Sequence, residues 1–508
     1  MNNVSSQTDE WVPAPLDIPP HWEQIDFEDA FENISLIHLK VPQKDYLSSG
    51  IIPVVDQGVN LVGGFTNDTS KSIQSARVLI VFGDHTKCFK LVGFRFAPGA
   101  DGIKVLKPNI IDERFAYYAC KALHLPDRGY SRHYAFLKRS KIPLAPQNEQ
   151  LRIVAKIEEL FSELDKGIES LKTVRRQLEV YRQSVLKHAF EGKLTAQWRA
   201  ENKDKLETPG QLLARIKRER TTRYEQQLKE WKAAVKNWEE GSKLGKKPSK
   251  PRTLASLEQL TSSKLAMLPS LPEGQAYTYL VNLGELERGK SKHRPRNDPE
   301  LFGGPYPFIQ TGDVKAANRT IRNYSQTYSD CGLHQSKLWP EGTLCITIAA
   351  NIAETAFLGF DGCFPDSIVG FTATETLVLP SYVRLFIESF RTRIEAYAPA
   401  TAQKNINLTT LQQIVIPLCS LEEQRILIDQ LEALLSVVEE QMTAINTELV
   451  KADVLRQAIL KKAFAGQLVA QDPHDEPASV LLKRIRAERE KAAKNNRSRK
   501  TKKRKTTA

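Results

Sequence analysis

The chain has 508 residues, 41% of them hydrophobic, and a formal net charge of +13. That length allows three or four domains with sizeable cores. The longest apolar stretch, Leu344 to Phe360, is broken by Asn351 and Glu354 and is too short to span a bilayer, and the polar start, Met1 to Trp11, has no signal-peptide pattern; a soluble, cytoplasmic protein without a membrane role is expected. Six cysteines, at 88, 120, 331, 345, 363 and 419, form no Cys-x-x-Cys pair and no metal spacing with histidine, so they read as reduced, structural thiols. The charge is concentrated at one end. From Lys483 onward there are 13 Lys and Arg against Glu488 and Glu490, a net of +11 that leaves +2 for all the rest. The tail serves either as a solubilising segment or as a non-specific attractor of phosphates.

Residues 1–20 are polar and proline-rich, which predicts flexibility. From 21 to 141 short strand-like runs follow one another: Ile51 to Val55, Val78 to Phe82, Leu91 to Phe94 and Lys104 to Leu106, with a helix over Glu113 to Leu123. This predicts a mixed α and β head. Three polar stretches interrupt it: Asp56 to Asn67, Gly83 to Lys87, and Arg128 to Tyr134. Asp84 beside His85 has the elements of acid and base chemistry, but no nucleophile motif or second ligand set accompanies them, and a structural turn is the better reading. Arg128, Tyr130, Arg132 and His133 suit phosphates and base edges, or a solvated turn.

Residues 142–197 occur twice. Ile142-Pro143-Leu144 matches Ile416-Pro417-Leu418, and the offset of 274 holds without a gap to Gln197 and Gln471. Glu149-Gln150 falls on Glu423-Gln424, Arg182-Gln183 on Arg456-Gln457, and Ala189-Phe190 with Gly192 on Ala463-Phe464 with Gly466. Val154, Ile157, Phe161, Leu164, Ile168, Leu171, Leu178 and Val185 keep mostly the three-and-four spacing of a coiled-coil seam. Ile428, Leu431, Leu435, Val438, Met442, Ile445, Leu449, Ala452 and Ile459 repeat it, and Arg182 and Arg456 interrupt both seams at one register. A helix of this length is roughly 65 Å long. Each helix is the other's natural partner, either parallel or antiparallel; a duplication that closes with a two-fold axis favours antiparallel, with the two heads at opposite ends of a rod.

Residues 198–268 read as a charged helical linker, with Trp231 and Trp238 marking a packed face and Gly241 to Pro251 a flexible lysine-rich joint. Leu212 to Arg220 resembles Leu481 to Arg489, so the duplication extends past the helix. The second head occupies 269–415. It opens on Arg288 to Arg296, a Gly- and Pro-broken loop rich in basic residues, beside Gln310-Thr311-Gly312-Asp313. Strands over Thr343 to Ala349 and Gly370 to Leu379 and a helix over Tyr382 to Ala396 follow. Thr401 to Ile406 carries amides that either read adenine in the major groove or cap the next turn. The second helix spans 416–471 and the basic tail 472–508.

Catalytic marks are missing. There is no Gly-Lys-Ser/Thr phosphate loop, no dinucleotide glycine triplet after a strand and no Asn/Asp-Pro-Pro-Tyr/Phe tetrapeptide; the only Pro-Pro is Pro19-Pro20. The chain therefore reads as one that holds or reads something while chemistry is done elsewhere.

The order head, long helix, head, long helix resembles the specificity subunit of type I restriction–modification systems. The resemblance rests on Ile142-Pro143-Leu144 with Glu149-Gln150, on Ile416-Pro417-Leu418 with Glu423-Gln424, and on Ala189 to Leu194 and Ala463 to Leu468. Gly83 to Thr86, Gly312-Asp313 and Thr401 to Ile406 resemble the family's head motifs. It implies an α+β fold in which two mixed α/β target-recognition domains are separated by two long antiparallel coiled-coil helices with a pseudo-two-fold repeat. It also implies a non-catalytic subunit whose heads each read one half of a split target in double-stranded DNA while the helices act as spacers. Two adenine-N6 methyltransferase subunits that bind S-adenosylmethionine dock on such a scaffold, joined by Mg- and ATP-dependent restriction subunits, so no cofactor or metal is expected on this chain. The candidate DNA contacts are then Gln57, Thr66, Asn67, His85, Lys87, Arg128, Tyr130, Arg132 and His133 in the first head. In the second they are Lys290, Lys292, Arg294, Arg296, Gln310, Thr311, Lys315, Thr401, Gln403, Lys404 and Asn405. The rivals are an enzyme with a divergent site, and a coiled-coil adaptor without sequence-specific DNA binding.

Overall fold

A computed structural model of the chain describes residues 17–99, 102–109, 111–127, 132–241, 247–251, 260–396 and 406–487. The first head runs through β1 (Glu23–Asp26), α1 (Phe27–Ala30), β2 (Phe31–Ile34), β3 (Ile52–Val55), β4 (Gly64–Thr66), β5 (Leu79–Gly83), β6 (Phe89–Val92), β7 (Ala97–Pro98), β8 (Ile103–Pro108), α2 (Glu113–Ala122), α3 (Tyr134–Arg139) and β9 (Lys141–Leu144). The long helix α4 (Gln147–Phe190), then α5 (Ala196–Glu201), α6 (Pro209–Glu240) and α7 (Ser262–Ala266) lead to the second head. That head holds β10 (Ala276–Tyr279), β11 (Gly284–Arg288), β12 (Phe302–Phe308), α8 (Thr311–Ala316), β13 (Thr320–Ile321), β14 (Gln326–Tyr328), α9 (Asp330–His334), β15 (Leu344–Thr347), β16 (Thr355–Leu358), β17 (Ile368–Ala373), α10 (Pro380–Ala396), α11 (Leu408–Gln412) and β18 (Val415–Leu418). The second long helix is α12 (Leu421–Phe464).

The chain divides into two compact units, one made of the described residues up to Thr173 and from Ile445 onward, the other of Val174 to Ala444. In the first, an antiparallel sheet runs β2-β8-β5-β6, and a second runs β4-β3-β7. β5, Leu-Ile-Val-Phe-Gly, is buried along its whole length, which is why it reads as a continuous apolar run rather than an alternating one. In the second unit the main sheet runs β11-β17-β15-β16-β13, with β12 and β14 paired apart from it. The strand expected over Gly370 to Leu379 is shorter and shifted, Ile368–Ala373. It ends where Leu377 and Val378 donate their backbone N–H groups to the carbonyl of Thr374 in a turn.

The duplication is visible in three devices that recur in both units. Each head is closed by a two-stranded ribbon: Glu23 pairs with Leu144 and Ile25 with Ile142, as Ala276 pairs with Leu418 and Thr278 with Ile416. The amide of the glutamine in each Glu-Gln pair then ties the helix start to the head. Gln150 donates to the carbonyl of Ala145 (2.8 Å) and accepts from the Asp112 N–H (3.0 Å). Gln424 donates to Cys419 and Leu377 and accepts from Leu379 (2.9 Å). Both side chains are fully buried, where an unmet amide would be costly. The glutamate beside each is buried too: Glu149 accepts from Trp22 Nε1 and pairs with His21, both at 3.0 Å. Glu423 accepts from Thr195 and Gln275 at 2.7 Å and pairs with Arg199.

The third device is the helix end. Gly192 and Gly466 have φ of +74° and +67°, and the bonds Lys193 N–H to His188 (3.0 Å) and Gln467 N–H to Lys462 (2.9 Å) close a Schellman turn after each helix. A Cβ on Gly192 would lie 2.6 Å from Pro272, and one on Gly466 would strike Pro19. Gly192→Ala and Gly466→Ala are each expected to lower unfolding free energy by about 1–3 kcal/mol, from left-handed strain plus the proline clash. Denaturant titration checks this, and a loss below a few tenths would mean that the turn relaxes freely.

The two long helices pack antiparallel. In the first unit Val154, Ile157 and Phe161 near the start of α4 share a core with Ile459, Leu460, Ala463 and Phe464 at the end of α12. In the second, Val185, Leu186, Ala189 and Phe190 at the end of α4 share one with Leu427, Ile428, Leu431 and Leu435 near the start of α12. The parallel alternative is thereby excluded. Arg182 and Arg456 interrupt the seams because each turns to an acid instead. Arg182 pairs with Glu388; Arg456 pairs with Asp165 and lies 4.7 Å over the Phe161 ring. The stretch expected as a charged linker is in part packing material of the second head. Thr208 caps α6 through Gln211, and Ile216 joins Leu280 and Leu283 in the core.

Candidate nucleic-acid interface

In the first head two of the three polar stretches meet around the β5–β6 turn, and the described end of the third joins them. Thr86 Oγ donates to the carbonyl of Gln57 (2.6 Å). Gly102 packs so closely that a Cβ there would touch both His85 (2.7 Å) and Gln57 (2.8 Å). Asp84 links the turn to the segment before α3: its carbonyl accepts from the His133 N–H (2.9 Å) and Nδ1 (3.0 Å), and its carboxylate from the Tyr134 N–H (2.7 Å). Asp84 thus acts as a cap, which accounts for its burial without acid–base chemistry.

His133 is fully buried. The expectation that its ring offers a contact to a base is corrected: the ring is buried, with Nδ1 bonded to the Asp84 carbonyl. Thr66 is also buried, its hydroxyl accepting from the Asp68 N–H (3.2 Å), and Asn67 holds the turn at Ile51 (3.1 Å). Lys87, at φ +58°, pairs with Asp127 at 3.2 Å, and Arg132 is exposed. Arg128 and Tyr130 lie outside the described residues. The loop 56–64 adds what the sequence did not single out, Val59 and Leu61, both exposed; an apolar side chain on such a loop suits a thymine methyl.

In the second head the candidates form two groups. The basic loop is pinned from below by Gln335, whose carbonyl oxygen accepts from the N–H groups of Lys292 (2.6 Å) and His293 (3.1 Å), while Ser336 donates to the carbonyl of Lys290 (3.0 Å). His293 bonds Asp298 at 2.8 Å, and that hydrogen bond holds the Asp298 carboxyl below the usual carboxylate range. Among the described residues Arg294 donates to two neutral carbonyls, of Ser291 (2.9 Å) and His293 (2.7 Å), whereas Arg296 faces Asp366 at 3.1 Å. Lys290, Lys292 and Arg294 therefore present charge outward; that of Arg296 is partly neutralised. The second group sits at the start of α8: Gln310 donates to Gln326 (2.6 Å), Thr311 opens the helix, and Lys315 reaches Asn351 (3.4 Å). Gln326, Gln335 and Asn351 were not legible in the sequence, since each comes from a separate segment with no motif around it. Thr401, Gln403, Lys404 and Asn405 lie outside the described residues.

Among the described residues no cluster of three or more His, Cys, Asp or Glu is placed to hold a metal, all six cysteines are free thiols, and no helix is long and apolar enough to cross a membrane.

Two mixed heads, joined by a repeated ribbon and clamp to paired long helices, are the architecture that the resemblance to type I specificity subunits implied. The comparisons agree. The family model for the type I restriction modification DNA specificity domain matches residues 279–450. The EcoBI specificity subunit of Escherichia coli is 30% identical over 123 residues, 22% of this chain and only 26% of that subunit. The EcoDI specificity subunit of Escherichia coli is 22% identical over 403 residues, 76% of this chain and 78% of that one. A chain in a solved type I restriction–modification structure has the same fold, with a TM-score of 0.57 at 16% identity over 89% of this chain and all of that one. Residues 279–450 thus match a type I restriction modification DNA specificity domain, and about three quarters of the chain is similar to a specificity subunit of such a system.

Proposed function

We propose that this chain is the non-catalytic reader of a type I restriction–modification complex, each head recognising one half of a bipartite duplex target, with the helix pair fixing the unread interval. The observation that carries this reading is the repetition, in both units, of the ribbon, the buried glutamine clamp and the antiparallel helix contact. Such clamps hold each head to its helix in one orientation, as a reader of fixed geometry requires. Phosphate contacts fall to Lys87, Arg132, Lys290, Lys292 and Arg294, and base readout to the amides of Gln57 and Gln310.

Docking of two methyltransferase copies is supported by exposed apolar pairs at equivalent positions of the two helices. Val180 and Tyr181 are 71% and 48% exposed, and Val454 and Leu455, 274 residues on, 65% and 51%. Apolar residues repeated on a solvent face suit two copies of one partner. S-adenosylmethionine, ATP and Mg belong to the methyltransferase and restriction partners in this reading.

Methylation mapping in the host with and without this chain tests the proposal. Replacing residues 21–141 with another head is expected to change one half-site and leave the other untouched. Methylation that is unaltered by the swap, or altered in both halves, overturns it.

A further inference from the structure

Helix α6 is longer than its task in the second head requires. Its first turns are bound to that head by Arg220 to Asn282 (2.6 Å), Arg223 to Thr374 (3.2 Å) and Glu285 (3.2 Å), and Gln227 to Glu285 (2.9 Å). The turns beyond Gln227 continue to Glu240. On these turns Lys229, Lys232 and Lys236 follow the spacing of one helix face, all exposed.

The segment 247–251, expected to be flexible, is folded back onto the same turns. Trp231 Nε1 donates to the carbonyl of Pro248 (3.1 Å), Lys250 lies 5.9 Å over the Trp231 ring, and Lys247 lies 5.7 Å over Trp238. The two tryptophans therefore hold two further ammonium groups in place. Five lysines stand here against Glu230, Glu239 and Glu240, with Lys236 pairing with Glu240 at 3.7 Å.

We propose that the outer half of α6 with its strap is a second, sequence-blind DNA contact, gripping backbone phosphates beside the half-site that the second head reads. The inference rests on that head being a DNA reader. A row of lysines at helical spacing fits a phosphate backbone, and such flexible point charges carry no bidentate base readout.

The test compares the full chain with its K229Q/K232Q/K247Q/K250Q variant. Binding to a labelled random-sequence 60-bp duplex is measured from 50 to 200 mM salt, and target preference on a duplex carrying the mapped site. The Gln variant is expected to lose about three in the slope of log affinity against log salt and to bind about tenfold more weakly at 0.15 M, with its target preference kept. Arginine at the same four positions should restore both. An unchanged slope overturns the phosphate contact while leaving the reader intact, as does loss of a protein partner with the slope unchanged. A wild-type chain with no target preference sinks the reader instead, and the slope still decides the lysines.

Discussion

Replacing Arg199 with methionine is expected to lower the unfolding free energy of the second unit by about 3–5 kcal/mol, because it strips a buried carboxylate of the cation that pairs with it. Arg199 pairs with Glu423, bonds Thr195 (2.7 Å) and donates to the carbonyl of Gly192 after α4, so one guanidinium joins the end of one long helix to the start of the other. Glu423 is wholly buried and Arg199 nearly so. The guanidinium and the carboxylate are each other's compensation, and removing one leaves the other charged in a dry site. The melting point of this unit should fall by roughly 10 °C in calorimetry. Adding Glu423→Gln to Arg199→Met should recover most of it, since an uncharged amide can still bond Thr195. Equal melting of single variant and wild type would show that the link contributes nothing. In the first unit the corresponding Glu149 has the half-exposed His21 and the Trp22 indole beside it, so the two joints are held by different partners.

Seven residues inserted after Thr173 in α4 and after the equivalent Thr447 in α12 are expected to lengthen the unread interval of the target by about three base pairs. A heptad keeps the seam in register and adds about 10.5 Å at 1.5 Å per residue, against 3.4 Å per base-pair step. Both half-sites should stay the same, because no head residue or clamp is touched. Sequencing of methylated sites in cells carrying the altered chain reads the interval directly. An unchanged interval would discard the proposed ruler, whatever became of the half-sites.

The helices were legible because a repeat of fixed offset and a three-and-four spacing are properties of sequence alone. So were their ends, since the glycines and the Ile-Pro-Leu triplets sit in matched places. Antiparallel packing was favoured only by a symmetry argument; the cores around Phe161 and Phe190 decide it. The role of α6 was illegible for a physical reason: its charged surface hides just two fully buried side chains, Leu212 and Ile216, and its hold on the head runs through arginines that look solvated in sequence. The candidate site was legible as loops and not as contacts. Polar residues such as His133 and Thr66 mark the right segments, but hydrogen-bonding capacity does not say whether a side chain meets the backbone of its own loop or the outside. Gln335, by contrast, organises the basic loop from more than forty residues away, a distance that no local pattern spans.

The first unit is built from two segments with the whole of the second unit encoded between them. Its core needs Phe464, Leu481 and Ile485 as well as Phe115 and Ile153. On the ribosome, the nascent first head emerges early yet has to wait, apolar flank uncovered, until the last turns of α12 and the segment after it are made. At 5–20 residues per second that delay is roughly 15 to 60 s. The second unit, continuous in the chain, closes before the first, so the order of maturation runs opposite to the order of synthesis.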